Sequence, residues 1–235
     1  MIKFEKLPYP LIISGHIVIT IFMIALPFLV KVFFFGTIVY FILRLFTSAD
    51  KNNEIILACC YLSCLEVFLR MNNALLFYEM IKYLVLAFML AGICIKGFSL
   101  KSIPFVFYLL LLVPSIVIAS QNIPITESLR KAVAFNLSGP VTLGVVAIYC
   151  FQRKITTTRL EEILKLSVGP IVMLAFYLFL VTPDIRDVVT NTASNFAASG
   201  GYGPNQVATA LGIGMFICFV RFVRIKNLWI NVLDI

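Results

Sequence analysis

The chain alternates long apolar runs with short polar or basic breaks. The runs at 11–30, 32–47, 55–69, 75–95, 103–119, 132–151, 166–181 and 204–220 approach the ~20 residues a helix needs to cross a bilayer. The pattern predicts an all-α integral membrane protein, a multi-span helical bundle with about eight complete transmembrane helices. The whole of 1–235 is read as a single polytopic transmembrane domain. The first two runs are parted only by Lys31, with Pro27 just before it. Such a boundary is either a tight reversal or one broken helix, and two spans are expected. Residues 156–165, with Glu161, Glu162 and Lys165, read as a short cytoplasmic helical lead-in to the seventh span.

Composition strengthens this class. Hydrophobic residues make up 61% of the 235 and charged residues 13%, with a mean hydropathy of +1.03, far from the balance of a soluble domain. The net charge of +8 does not indicate nucleic acid, because the basic residues collect in loops between apolar runs. Placing the N-terminus in the cytoplasm puts Lys3, Lys6, Arg44, Lys51, Lys96, Lys101, Arg153, Lys154, Arg159, Lys165, Arg221, Arg224 and Lys226 inside. Lys31, Arg70, Lys82, Arg130, Lys131 and Arg186 are left outside or at depth. Segments 121–131 and 183–203 then share the external face. The six cysteines lie within apolar runs without metal-ligand spacing, so neither a disulfide nor a zinc site is expected, and no cofactor is called for. The N-terminal run exceeds a signal-peptide core and is read as a retained span. After the basic cluster at 221–226, Trp229 opens what resembles a ninth span, so a further C-terminal part is expected, the alternative being a short protein whose last residues lie along the membrane surface.

One stretch concentrates site-like chemistry. Residues 195–214 begin with a loop holding Gly200, Gly201 and Gly203, followed by Pro204, which suits the first position of a helix. A helix starting there aims its N–H groups and positive dipole end at the loop, a general way to hold an anion, and Asn205 and Gln206 add side-chain donors. The competing reading is a glycine-rich turn before an ordinary membrane helix. The third glycine of a dinucleotide fingerprint and the Lys-Ser/Thr of a Walker phosphate loop are both missing.

Arg186 is the nearest arginine in sequence, flanked by Asp184 and Asp187, so a local ion pair competes with ligand contact. Arg130 and Lys131, at the outer end of the sixth span, suit phosphate or lipid headgroups equally. Glu66 and Arg70 share one helix face, as do Glu79 and Lys82, and are read as two ion pairs locking the third and fourth spans. Ala208 with Gly212, and Ala210 with Gly214, follow the small-x-x-x-small spacing of close helix packing. His16, the only histidine, is read as a helix-contact residue.

The segment Ser199-Gly-Gly-Tyr-Gly-Pro-Asn-Gln-Val-Ala-Thr-Ala-Leu-Gly opens a late membrane helix after an external polar loop. It resembles the first half of the O-antigen ligase and O-antigen polymerase superfamily of bacterial envelope proteins, which carries a related Gly-x-Asn-Pro-Asn style signature. Here the order is Gly203-Pro204-Asn205. The resemblance implies a multi-pass protein of the bacterial inner membrane in lipopolysaccharide or other surface polysaccharide biosynthesis. It implies glycosyl transfer at the outer face from a polyprenyl-diphosphate-linked glycan, without nucleotide sugar or metal. The acceptor would be lipid A core in the ligase branch and a second lipid-linked glycan in the polymerase branch. The implied substrate-binding set is Gly200, Gly201, Gly203, Asn205, Gln206, Arg186 and Arg130, with no catalytic residue assigned. The family also uses a later, large external loop that these residues do not include, so activity is expected only with that part supplied. A polysaccharide transporter or flippase with a discontinuous helix at the glycines, and a non-catalytic membrane assembly subunit, are the alternative functions.

Overall fold

The computed structural model describes residues 3–122, 129–182 and 195–224. These form eight α-helices, with no strand among them: α1 Tyr9–Ala25, α2 Phe28–Ser48, α3 Glu54–Met71, α4 Met80–Lys96, α5 Ile103–Asn122, α6 Leu129–Cys150, α7 Thr157–Val181 and α8 Pro204–Arg224. Short 3-10 turns lie at Phe4–Lys6, Leu100–Ser102 and Ala197–Ser199.

Among the described residues, four helical segments are long and apolar enough to cross a membrane: Phe28–Ser48, Leu100–Ile118, Thr157–Val181 and Ala197–Arg224. That is fewer than the eight spans expected, although the eight helices themselves are present. The shortfalls have local causes. Pro27 follows Leu26, whose backbone lies outside the helical region at φ −134° and ψ 84°, as the residue before a proline tends to. α1 therefore stops at 17 residues, ~25 Å at 1.5 Å per residue, short of the ~30 Å hydrocarbon core. The break between the first two runs is thus at Pro27, and Lys31 lies inside α2. α3 carries Glu54, Glu66 and Arg70 within 18 residues, and α4 starts only at Met80, after turns over 74–79. The expected lead-in at 156–165 is continuous with the seventh run: Thr156 caps α7, its side chain accepting from the Arg159 N–H at 3.3 Å.

The outer surfaces of these helices are apolar. Phe46 is 82% exposed, Phe179 80%, Leu111 75% and Met215 74%. So many large bare hydrophobics on α2, α5, α7 and α8 are incompatible with water as the surrounding solvent, and the chain is a membrane protein.

The helices group into two compact units. The first takes in Met1–Ile42, Cys60–Leu75 and Thr156–Ile235. In it α1 packs beside α7 and runs the same way, Leu7 meeting Lys165 and His16 meeting Gly169. α8 lies against α7 in the opposite sense. Tyr9, Cys64, Val168, Ile171 and Ile217 form a buried cluster there. The two small-residue pairs on α8 separate by face. Ala210 and Gly214 are buried, and a Cβ on Gly214 would stand 2.3 Å from Ile171 Cγ2, whereas Ala208 and Gly212 face outward.

His16 is a packing residue, as its position suggests. Its Nδ1 lies 2.7 Å from the Ile12 carbonyl and its Nε2 3.0 Å from the Tyr61 hydroxyl, with the ring against Gly169. A Cβ at Gly169 would come within 2.4 Å of that ring, and the two hydrogen bonds prevent the ring from yielding. Gly169→Val is expected to cost about 1–3 kcal/mol by overpacking, and a second change, His16→Ala, should restore part of it. Thermal unfolding in detergent checks this. Equal losses in the single and double variants would disprove the contact.

At its basic end the first unit is latched by charge. Glu5, fully buried, accepts from Arg159 Nη1 at 3.0 Å, Arg159 also meets Glu162 at 3.0 Å, and Lys6 pairs with Glu162. The Arg221 guanidinium of α8 lies 4.1 Å from the Tyr9 ring centre, a cation–π stack.

The second unit takes in Leu43–Cys59 and Leu76–Ile155. α6 packs against both α4 and α5. Gly92 is needed on α4 because a Cβ would stand 2.3 Å from Tyr149. Asp50, in the turn between α2 and α3, has φ 57° and no exposed surface. It accepts from the Tyr149 hydroxyl at 2.5 Å, Lys96 Nζ at 3.1 Å and the Ile55 N–H at 3.0 Å. Arg44 and Glu54, both almost wholly buried, pair beside it in sequence. Lys82 reaches Ser138 of α6 at 3.4 Å, a contact along the helix pair that its spacing from Glu79 did not indicate.

Candidate functional site around the glycine loop

The loop is built by local hydrogen bonds. Asn195 Oδ1 accepts from the Ala197 N–H at 2.8 Å and starts the 3-10 turn. The turn ends at Gly200, φ 66° and ψ 30°, in the left-handed region. Gly201 follows at φ 77°. Two successive residues at positive φ require glycine or incur strain. The buried Ser199 hydroxyl lies close to the Tyr202 carbonyl and ties the turn to the start of α8.

The two glycines differ in what stands over them. A Cβ on Gly200 would come 2.9 Å from Met71 Cε and 3.0 Å from Leu178 Cδ2, so Gly200 is the point where the loop rests on α3 and α7. Above Gly201 there is open space, and the residue is exposed. Gly203 has only ordinary contact with the Gln206 side chain, at 3.5 Å or more. Gly201 is therefore the glycine whose backbone a ligand can approach.

The backbone donors are less available than a bare helix start suggests. The N–H groups of Gly200 and Gly201 bond to the Ala197 and Phe196 carbonyls at 3.2 and 2.7 Å, and those of Gln206 and Val207 both bond to the Gly203 carbonyl. An anion here must be held chiefly by side chains. Asn205 is exposed at the helix start. Gln206 Oε1 accepts from the Tyr202 hydroxyl at 3.1 Å and from Arg70 Nη1 at 3.1 Å.

Arg70 is the cation that the fold brings to this loop. Its guanidinium is also paired with Glu66 one turn earlier on α3, and its side chain is 9% exposed. Two acceptors on different helices thus fix the plane of a guanidinium suited to phosphate oxygens. The sequence spacing of Glu66 and Arg70 revealed the ion pair, but the 136 residues between Arg70 and Gln206 hid the meeting with the loop. Of the other residues expected at the site, Arg186 lies outside the described residues. Arg130 belongs to α6 in the second unit, and its side chain lies outside them as well. Among the described residues no cluster of His, Cys, Asp or Glu has the makings of a metal site.

No protein-family model matches this chain, and no curated protein or solved structure is significantly similar to it.

Proposed function

We infer that the chain is a glycosyltransferase-like membrane protein of bacterial surface polysaccharide assembly, of the O-antigen polymerase or ligase type, working at the outer face of the inner membrane. The observation that carries this reading is the hydrogen bond of Arg70 to Gln206 in the first turn of α8, directly after the glycine loop. In the reaction an acceptor hydroxyl attacks the anomeric carbon, the bond from that carbon to the diphosphate oxygen breaks, and the electron pair leaves with the polyprenyl diphosphate. The hydroxyl proton passes to the departing diphosphate or to water. The protein must then stabilise negative charge growing on the departing diphosphate, which a preorganised guanidinium and side-chain amides do well in a partly dry site. Gly200, Gly201, Gly203, Asn205 and Gln206 would shape that site, with Arg70 and Arg186 as its cations. Eight crossings with the N-terminus inside belong to the same proposal.

A reporter active only outside the cytoplasm, fused after Asn195 or after Lys154, tests the orientation, and activity is expected after Asn195 alone. Gly201→Val in the full-length protein tests the pocket. A side chain there fills the open space and also strains a backbone at φ 77°. Binding of a lipid-linked glycan should be lost while the amount of protein in the membrane is maintained. Binding equal to the parent's would reduce the glycine loop to a turn.

A further inference from the structure

At the end of the first unit remote from the glycine loop, a groove of about 580 Å³ runs between α1 and α2. Leu11, Gly15 and Ile19 line it from α1, and Phe33, Gly36 and Tyr40 from α2. The two glycines make its width: a Cβ on either would have no neighbour within 4 Å. Its walls are apolar but for His16, which is satisfied by the Ile12 carbonyl and the Tyr61 hydroxyl, and the hydroxyls of Thr37, Tyr40 and Tyr61. Water in such a groove would lack the two to four polar partners it needs, and an empty groove would forfeit the dispersion contacts of its walls. Leu11 is 52% exposed and Ile19 36%, so the groove is open along the edge of α1, where the surroundings are lipid. Hydrocarbon is the filling that the chemistry admits.

Charge specifies the lipid. Phe4 and Leu7 close the groove at the N-terminal end, and Lys165 Nζ donates to the Leu7 carbonyl at 2.9 Å. Lys3, Lys6, Arg159, Lys165, Arg221 and Arg224 gather at this end of the unit against Glu5, Glu161 and Glu162, six cations to three carboxylates. α8 runs from the glycine loop to Arg224 over 21 residues, ~30 Å of helix, so the headgroup end of the groove and the glycine loop are on opposite faces. We propose that the α1–α2 groove binds one acyl chain of an anionic phospholipid from the leaflet at the basic end, with its phosphate held by Lys6 and Lys165. The proposal requires only that the protein is embedded in a membrane.

The test uses the full chain in bilayer discs of equal phosphatidylglycerol and phosphatidylcholine, extracted into mild detergent and weighed intact. The parent should retain one phosphatidylglycerol, preferred about fivefold or more over phosphatidylcholine, as one or two lysines near a headgroup provide. Gly36→Phe should fill the groove and remove the adduct. Gly212→Phe, on the outward face of α8 where a Cβ also meets nothing, should keep it. Lys6→Gln with Lys165→Gln should keep a lipid but bring the preference to parity. Should Gly36→Phe fail to fold, phosphatidylglycerol with a photoreactive group in its acyl chain decides on the parent alone, with label expected on α1 and α2 between 11 and 41. A parent without a bound lipid overturns the proposal, as does label confined to other helices, an unchanged adduct in folded Gly36→Phe, equal retention of phosphatidylcholine, or displacement of the lipid by undecaprenyl phosphate.

Discussion

Asp50→Ala is expected to lower stability by about 3–5 kcal/mol, the loss that follows when one partner of a buried charge network is removed. The carboxylate is the common acceptor for the Tyr149 hydroxyl, Lys96 and the Ile55 N–H. Without it a buried phenol and a backbone donor lose their bonds, and a lysine loses its counter-charge. Alanine is also a poor occupant of φ 57°. Asp50→Asn keeps an acceptor oxygen and tolerates the left-handed backbone, so about 1–2 kcal/mol is expected, chiefly the charge on Lys96. Thermal unfolding in detergent should place the alanine variant roughly 10 °C below the parent and the asparagine variant well above it. If the two melt together, the loss comes from the backbone alone and the network has no role in holding α4 and α6 to the turn.

Arg70→Ala is expected to reduce transfer from a polyprenyl-diphosphate glycan by about 10²–10³-fold, the range for removing one preorganised donor from a developing anion. The loss should fall on kcat more than on KM, since the charge grows as the diphosphate departs. Arg70→Lys should recover only part, because a lysine ammonium cannot span two oxygens in one plane. Glu66→Gln separates this from a purely structural role: it removes the ion pair while keeping the cation beside Gln206, so activity should fall far less than in Arg70→Ala. Equal losses in Glu66→Gln and Arg70→Ala, with equal drops in melting temperature, would make Arg70 a brace between α3 and α8. Full activity in Arg70→Ala would remove the residue from the site.

What the chain determines by itself is the content of helix and where most of it begins. Apolar runs of near-span length report burial in lipid or protein wherever they occur, and cap chemistry is local. Pro204 at the first position of α8 is read correctly from neighbouring residues alone. The glycines at 200 and 201 also announce a turn, because positive φ is a property of one residue and its peptide planes.

Two things escaped local reading. Helix ends set by a single proline, as at Pro27, and charges placed inside a helix, as on α3, decide whether a run is long and apolar enough to cross, and hydropathy averaged along the chain blurs both. The contacts between helices are longer-range still. Which small-residue pair on α8 packs, Ala210 with Gly214 or Ala208 with Gly212, depends on where Ile171 of α7 stands. Spacing is identical for both pairs, so only tertiary packing distinguishes them. Arg70 likewise carries the same i,i+4 signature as any surface ion pair, and its bond to Gln206 exists only because α3 ends where α8 begins in the first unit. Periodicity records which face of a helix is apolar. It holds no term for which helix lies opposite, and that is what decided the site.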